Sequence, residues 1–208
     1  MKYTKEDINK LDRITKLKII NSVTGIKPAN LIGTISNTNQ TNLAIFSSVV
    51  HIGSDPALLG FIVRPTGEVP RHTYQNIQEN GYYTINHIHP EFIKNAHYTS
   101  AKFEKEISEF NRCHLSEEFI PDFKAPFVKE STFKIGMRFK ESIDIKLNGT
   151  IMVIGQVEHL IIPDDTIKGD DIDLEKTNSV GISGLNSYYS LTKIGKYPYV
   201  RVKEVPKF

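Results

Sequence analysis

The chain has 208 residues, which suits one large domain or two small ones, with a core that buries roughly 70% of the unfolded surface. Twenty-six Lys and Arg against 24 Asp and Glu leave a formal net charge of +2; this balance argues against nucleic acid and against a polybasic membrane patch, so any basic site must be local. A single cysteine, Cys113, excludes an intrachain disulfide, no apolar run reaches the ~18 residues of a membrane span, and the Lys-containing N-terminus lacks the apolar core of a signal peptide. A cytoplasmic protein is the expectation.

Thr4 is followed three residues later by Asp7, and Ile8, Leu11, Ile14, Leu17 and Ile20 recur at spacings of three. This pattern predicts one or two amphipathic helices up to Asn21, packed on the main domain or on a partner subunit. Gly25 and Pro28 then break the helix. The chain is thus divided into a helical extension, 1–25, and a main domain, 26–208.

Two strand-like runs follow, ANLIGTIS (Ala29 to Ser36) and TNLAIFSSVVHIG (Thr41 to Gly53), joined by the polar turn Asn37–Gln40. In the second run Leu43, Ile45, Ser47 and Val49 share one side, and Asn42, Ala44, Phe46 and Ser48 the other. Neither side alternates cleanly, as in a strand that faces something small and partly polar, with Ala44 leaving room for a flat ring near the backbone. The plainer alternative is an interior strand whose serines are satisfied by neighbours. Ser54-Asp55-Pro56 is a turn, and the apolar strand ALLGFIV leads into Arg64.

The stretch RPTGEVPRHTYQNIQENG, Arg64 to Gly81, combines a Pro/Gly-rich loop with a helix signal. Thr73 is the expected N-cap with Asn76 three residues on, and Gly81 closes the helix after roughly two turns. A helix start offers unpaired N–H groups and a positive dipole end, so with Arg64, Arg71 and His72 beside it the place suits a phosphate. The planar guanidinium fork donates two parallel hydrogen bonds to such an anion.

YYTINHIH, Tyr82 to His89, alternates as a strand, and Pro90 opens a short helix. His87, His89 and His97 have the types that bind zinc or iron, but no cysteine accompanies them and no metal is expected. Cys113 lies in a short helical segment without a CxxC partner and reads as a bystander thiol. STFKIGMRFKESIDIKL and TIMVIGQVEHLIIP form a long hairpin across Asn148-Gly149. The acidic residues between Asp164 and Asp173 lack the spacing of a calcium loop. In the C-terminal GISGLNSYYSLTKIGKYPYVR, Tyr188 and Tyr189 either stack on a ligand ring or pack in the core, and Lys193 is a remote candidate for a phosphate.

Four segments in this order, TNLAIFSS, SDPALLGFIV, RHTYQNIQENGYYTINH and GISGLNSYYSLTKIGKYPY, resemble the flavin reductase-like family of FMN-binding split-barrel oxidoreductases. The resemblance implies a mainly β fold with peripheral helices, an FMN-binding split β-barrel. It implies noncovalent FMN, with Arg64, Arg71, His72, Thr73 and Asn76 at the phosphate and Asn42, Ala44, Phe46, Ser47 and Ser48 along the ring and ribityl. On the same resemblance Asn86 would help close the pocket and Asn95–Ala101 would form the nicotinamide side, with Tyr188 and Tyr189 as candidate ring contacts. A homodimer, a small-molecule substrate and NADH or NADPH as electron donor complete the expectation. No G-x-S-x-G, H-E-x-x-H, Walker or G-x-G-x-x-G motif supports another chemistry, and no catalytic dyad is demanded, because the flavin carries the reaction. The alternatives are a flavin- or haem-binding module without turnover, or a reductase of a ferric chelate or quinone.

Overall fold

The computed structural model describes residues 1–67 and 69–207. Glu68, in the loop expected to hold phosphate, and Phe208, the last residue of the expected main domain, lie outside the described residues.

Helices α1 (Lys5–Lys10) and α2 (Arg13–Ser22) open the chain. The capping box at Thr4 is present: Thr4 N donates to Asp7 Oδ2 at 2.9 Å, and Asp7 N to Thr4 Oγ1 at 3.3 Å. Asp12 splits the periodic run in two by capping α2, its Oδ1 accepting from Ile14 N and Thr15 N at 3.0 Å each. Neither helix buries a residue in the single chain, and Ile14, Leu17 and Ile20 are exposed.

Strands β1 (Lys27–Pro28), β2 (Asn30–Ile35), β3 (Thr41–Phe46), β4 (Val50–Ser54) and β5 (Ala57–Val63) lead to helix α3 (His72–Asn80). After β6 (Tyr82–His87) come α4 (Ile93–Tyr98), α5 (Glu109–Arg112) and the short strands β7 (Glu117–Glu118) and β8 (Phe127–Val128). The long hairpin β9 (Lys134–Ile145) and β10 (Thr150–Ile161) turns at Gly149, whose φ of 72° demands glycine, while Asn148 Oδ1 accepts from Thr150 N at 3.1 Å. The chain ends through β11 (Ile167–Lys168), β12 (Asp171–Ile172), β13 (Gly181–Ser183) and β14 (Ser187–Tyr189).

Seven strands form one antiparallel sheet in the order β3-β2-β6-β9-β10-β5-β4. Its edge strands, β3 and β4, are consecutive in sequence and separated only by Ser47–Val49. Such a short link forces the sheet to curl until its edges approach, yet the edges do not pair, so the barrel stays split. Two register shifts between β9 and β10 assist the bend. Ser48 pins the crossing, its Oγ accepting from Ile62 N at 3.0 Å. The run Thr41 to Gly53, expected as one strand, is therefore two.

The curled sheet encloses a core that includes Ile32, Phe61, Ile77, Tyr83, Ile85, Met137 and Val153. Outside it, Leu31, Leu43, Ile88, Phe110 and Val128 form a second cluster against α4 and α5. At about 25 cal/mol per Å² of apolar surface, each fully buried Leu, Ile or Phe contributes on the order of 1.5–3 kcal/mol. Two cores on the two faces of β2 and β3 leave little freedom to the end of β3.

Candidate functional site

A cavity of about 790 Å³ opens where the barrel splits. It runs from the start of α3, past the end of β3, to the segment after α4. Asn42, Ala44, Phe46, Ser47, Ser48, Arg64, Arg71, His72 and Thr73 all line it, nine residues that the sequence spreads over 32 positions.

The phosphate end is built differently from expectation. Arg71, not Thr73, holds the N-cap position of α3, and no side chain caps the helix. The first helical bond runs from Gln75 N to Arg71 O at 3.0 Å, so the amides of His72, Thr73 and Tyr74 precede the helical ladder and are open to an anion. Thr73 instead accepts from Asn42 Nδ2 through its Oγ1 at 3.0 Å, tying β3 to α3. Arg71 donates from Nε to Pro65 O at 3.2 Å, which holds its guanidinium on the loop. Burial, then the neighbouring Arg64, lowers the Arg71 pKa, though a guanidinium remains a cation. Burial and Lys105 also push His72 down against the opposing pull of Glu106 and Glu104, which favours its neutral form.

Other predicted residues lie elsewhere. Asn76 is buried behind the cavity and donates to Thr34 Oγ1 at 3.1 Å. Asn86 is also buried: its Nδ2 donates to Leu31 O at 3.1 Å and Thr84 Oγ1 at 2.8 Å, and its Oδ1 accepts from Val128 N at 2.9 Å. It ties β8 to the sheet and does not line the cavity. Tyr188 stands one layer back, its hydroxyl 3.1 Å from Nδ1 of His97, which does line the site; burial pushes that phenol up to about 12. Tyr189, next along β14, is exposed, and Lys193 lies in the exposed tail.

The three histidines do not converge on an ion, and among the described residues no group of His, Cys, Asp or Glu is arranged to hold one. His87 stacks on Phe133 with ring centroids 4.0 Å apart, and burial, then His89, pushes its pKa down to about 4. His89 accepts from Thr132 N at 3.0 Å.

Glu109 was not singled out by its sequence, yet it lines the cavity, and only 6% of it is exposed. Its Oε2 accepts from Leu43 N at 3.0 Å. Because β3 is an edge strand, Leu43 points its amide away from the sheet, and by the two-residue repeat Ile45 points its own N–H and C=O the same way, into the cavity. The partners are 66 residues apart, and on a short helix the glutamate reads as a solvated face. No local signal in the sequence marks it; only the fold shows that its neighbours Ser108 and Phe110 are buried.

Burial raises the Glu109 pKa above the ordinary carboxylate value, with the Leu43 and Glu109 amides opposing. The unfolded chain therefore loses this proton at lower pH than the native state. Native stability falls as pH rises from the unfolded pKa through the raised one, and is level beyond it. Glu109→Gln keeps an oxygen for Leu43 N–H but cannot ionise, so its melting temperature should decline less than that of the wild type as the pH rises above the ordinary carboxylate value. Parallel melting profiles for the two proteins would show that Glu109 is not the group responsible.

Comparison with known proteins agrees with this architecture. A protein of Shewanella frigidimarina NCIMB 400 with a split barrel domain, whose flavin reductase name is provisional, is 44% identical, with a TM-score of 0.92 over 96% of this chain and 100% of its own. Nitrilotriacetate monooxygenase component B from Bacillus cereus superposes with a TM-score of 0.83 over 95% of this chain and 98% of its own, at 15% identity. Flavoredoxin of Desulfovibrio vulgaris (Miyazaki F) gives 0.72 over 84% and 92%, at 19% identity. The last two likenesses concern the fold, which is thus mainly β with peripheral helices, a split β-barrel. The family described as "Flavin reductase like domain" matches residues 26–172, and with the cleft lying where the barrel splits, the chain belongs to the flavin reductase-like family.

Proposed function

We propose that this chain is an NAD(P)H-dependent flavin reductase that binds FMN noncovalently and directs hydride from the nicotinamide to the flavin. Membership of the family makes it a flavin-related oxidoreductase; the choice of FMN and of the donor belongs to the proposal. The observation that carries it is the polarity of the cavity. One end has free first-turn amides of α3 with Arg64 and Arg71, and the other has the edge backbone of β3 beside Phe46. A phosphate joined to a flat ring with a hydrogen-bonding rim needs those two ends, and about 790 Å³ lies within the usual range for cofactor sites.

When bound, the flavin supplies the hydride and electron transfer, and the protein supplies position and dryness. Arg64, Arg71 and the α3 amides hold the phosphate, with Thr73 and Asn42 fixing the helix against β3. Ala44 keeps the wall thin, Ile45 N–H and C=O address the polar rim of the ring, and Phe46 excludes water. His97, braced by the Tyr188 hydroxyl, stands with Thr99 and Ser100 on the nicotinamide side. Exposed Ile14, Leu17 and Ile20, together with Ile194, Tyr197 and Tyr199 in the C-terminal tail, support a homodimer. Among the described residues no helix is long and apolar enough to cross a membrane; a cytoplasmic setting remains part of the proposal.

The test is an absorbance spectrum of the purified protein, taken before and after anaerobic addition of NADH and then NADPH. Oxidised flavin bands that bleach with a pyridine nucleotide are the expected result. Bound flavin that neither nucleotide bleaches would make the protein a carrier or sensor and overturn the reductase reading.

A further inference from the structure

A second cavity, of about 420 Å³, adjoins the first, and Ala101 and Phe103 line both. Its other walls come from α4, through Lys94, Asn95 and Tyr98, and from the end of α5, through Arg112, Cys113 and His114. Asn95 Nδ2 donates to Cys113 O at 2.8 Å, which fastens the two helices to each other and fixes the cavity between them. Cys113 is buried at its base, and burial, then Glu109, raises that thiol's pKa, so an inert apolar floor rather than a nucleophile lies there.

The charge of this cavity has one sign. Lys94 and Arg112 stand at its walls, no acidic residue lines it, and among the described residues neither cation is in an ion pair. Tyr98 is 57% exposed beside the half-buried Phe103. Free cations around open aromatic faces match a ligand that joins a flat ring to phosphate. A nucleotide has that chemistry, and the volume lies within the range of small-molecule sites.

We propose that the second cavity receives the adenosine phosphate end of a dinucleotide whose redox-active ring lies in the adjoining larger cavity. The proposal rests on the flavin reductase reading for the larger cavity, and the shared wall at Ala101 and Phe103 is where the ligand passes from one to the other. A carboxylate would accept from a free ribose 2′-hydroxyl, whereas a guanidinium accommodates a 2′-phosphate. With Arg112 and Lys94 present and no acid in the lining, the site favours the phosphorylated form, hence NADPH over NADH.

The probe is 2′,5′-ADP, which carries adenosine and both phosphates but no redox ring, titrated calorimetrically into the full-length protein. Saturable binding is expected, weakened roughly tenfold by each of Lys94→Ala and Arg112→Ala, with melting temperature unchanged because both side chains are exposed. No binding to the wild type, or equal binding to wild type and variants, overturns the proposal even if the protein reduces flavin. Binding that depends on Lys94 and Arg112 in a protein whose flavin is bleached by neither NADH nor NADPH sustains the subsite and removes the reductase reading. Two further arms identify the dinucleotide. A raised KM for NADPH at constant kcat in the variants assigns the subsite to the pyridine nucleotide; weakened binding of FAD with unchanged FMN binding assigns it to the adenylate of a flavin.

Discussion

Arg71→Ala is expected to weaken FMN binding by about 1.5–3 kcal/mol, roughly ten- to a hundredfold in Kd, the cost of one charge-assisted hydrogen bond to phosphate. The size of the effect follows from how the side chain is held. Its Nε is engaged with Pro65 O, so the remaining N–H groups are oriented before the anion arrives. It also stands at the N-cap of a helix that no side chain caps, so removing it leaves only Arg64 and the first-turn amides at the positive end. Arg71→Lys keeps the charge but not the fork and should fall between the two. Fluorescence titration of FMN at fixed ionic strength measures all three proteins, and equal affinities would take Arg71 out of the phosphate site.

Asn86→Ala should act on stability and leave the cofactor alone. Its amide serves three partners in a buried place, and its loss strands Val128 N–H without an acceptor. An unsatisfied buried donor, with the lost hydrogen bonds, costs about 2–3 kcal/mol, which for a chain of this length is roughly 4–12 °C in Tm. Thermal unfolding and FMN titration of the same sample separate the roles. A fall in Tm with constant flavin affinity is expected; constant Tm with weakened flavin binding would return Asn86 to the pocket.

These two residues show what a sequence discloses. The place of Arg71 in the cavity at the start of α3 was legible because a Pro/Gly-rich loop, two arginines and a helix signal ending in Gly81 are close neighbours, and Gly81 does close α3 with a φ of 76°. The Asn148-Gly149 hairpin and the Thr4 capping box were legible for the same reason: each is a local bargain between backbone and side chain. Asn86 and Asn76 were not, because an asparagine facing a ligand and one facing buried polar groups are spelled alike, and their partners Val128 and Thr34 are each 42 residues distant. Glu109 hid in the same way. The break of the Thr41 to Gly53 run into β3 and β4 also has no local mark, since the chain turns there to cross the opening of the barrel. Thr73 misled in a smaller sense: its hydroxyl serves Asn42 on β3 instead of capping α3, which leaves the first-turn amides open.

The exposed flank of β3 has a consequence for solubility. A row of unsatisfied peptide groups recruits strands from other molecules, and natural sheets rarely leave one bare. Here α5 blocks one end through Glu109, and a ligand bound in the cavity beside Ile45 would cover the other. Cofactor occupancy would then act as a chaperone for the native protein, and stocks stripped of flavin would clump first at this strand.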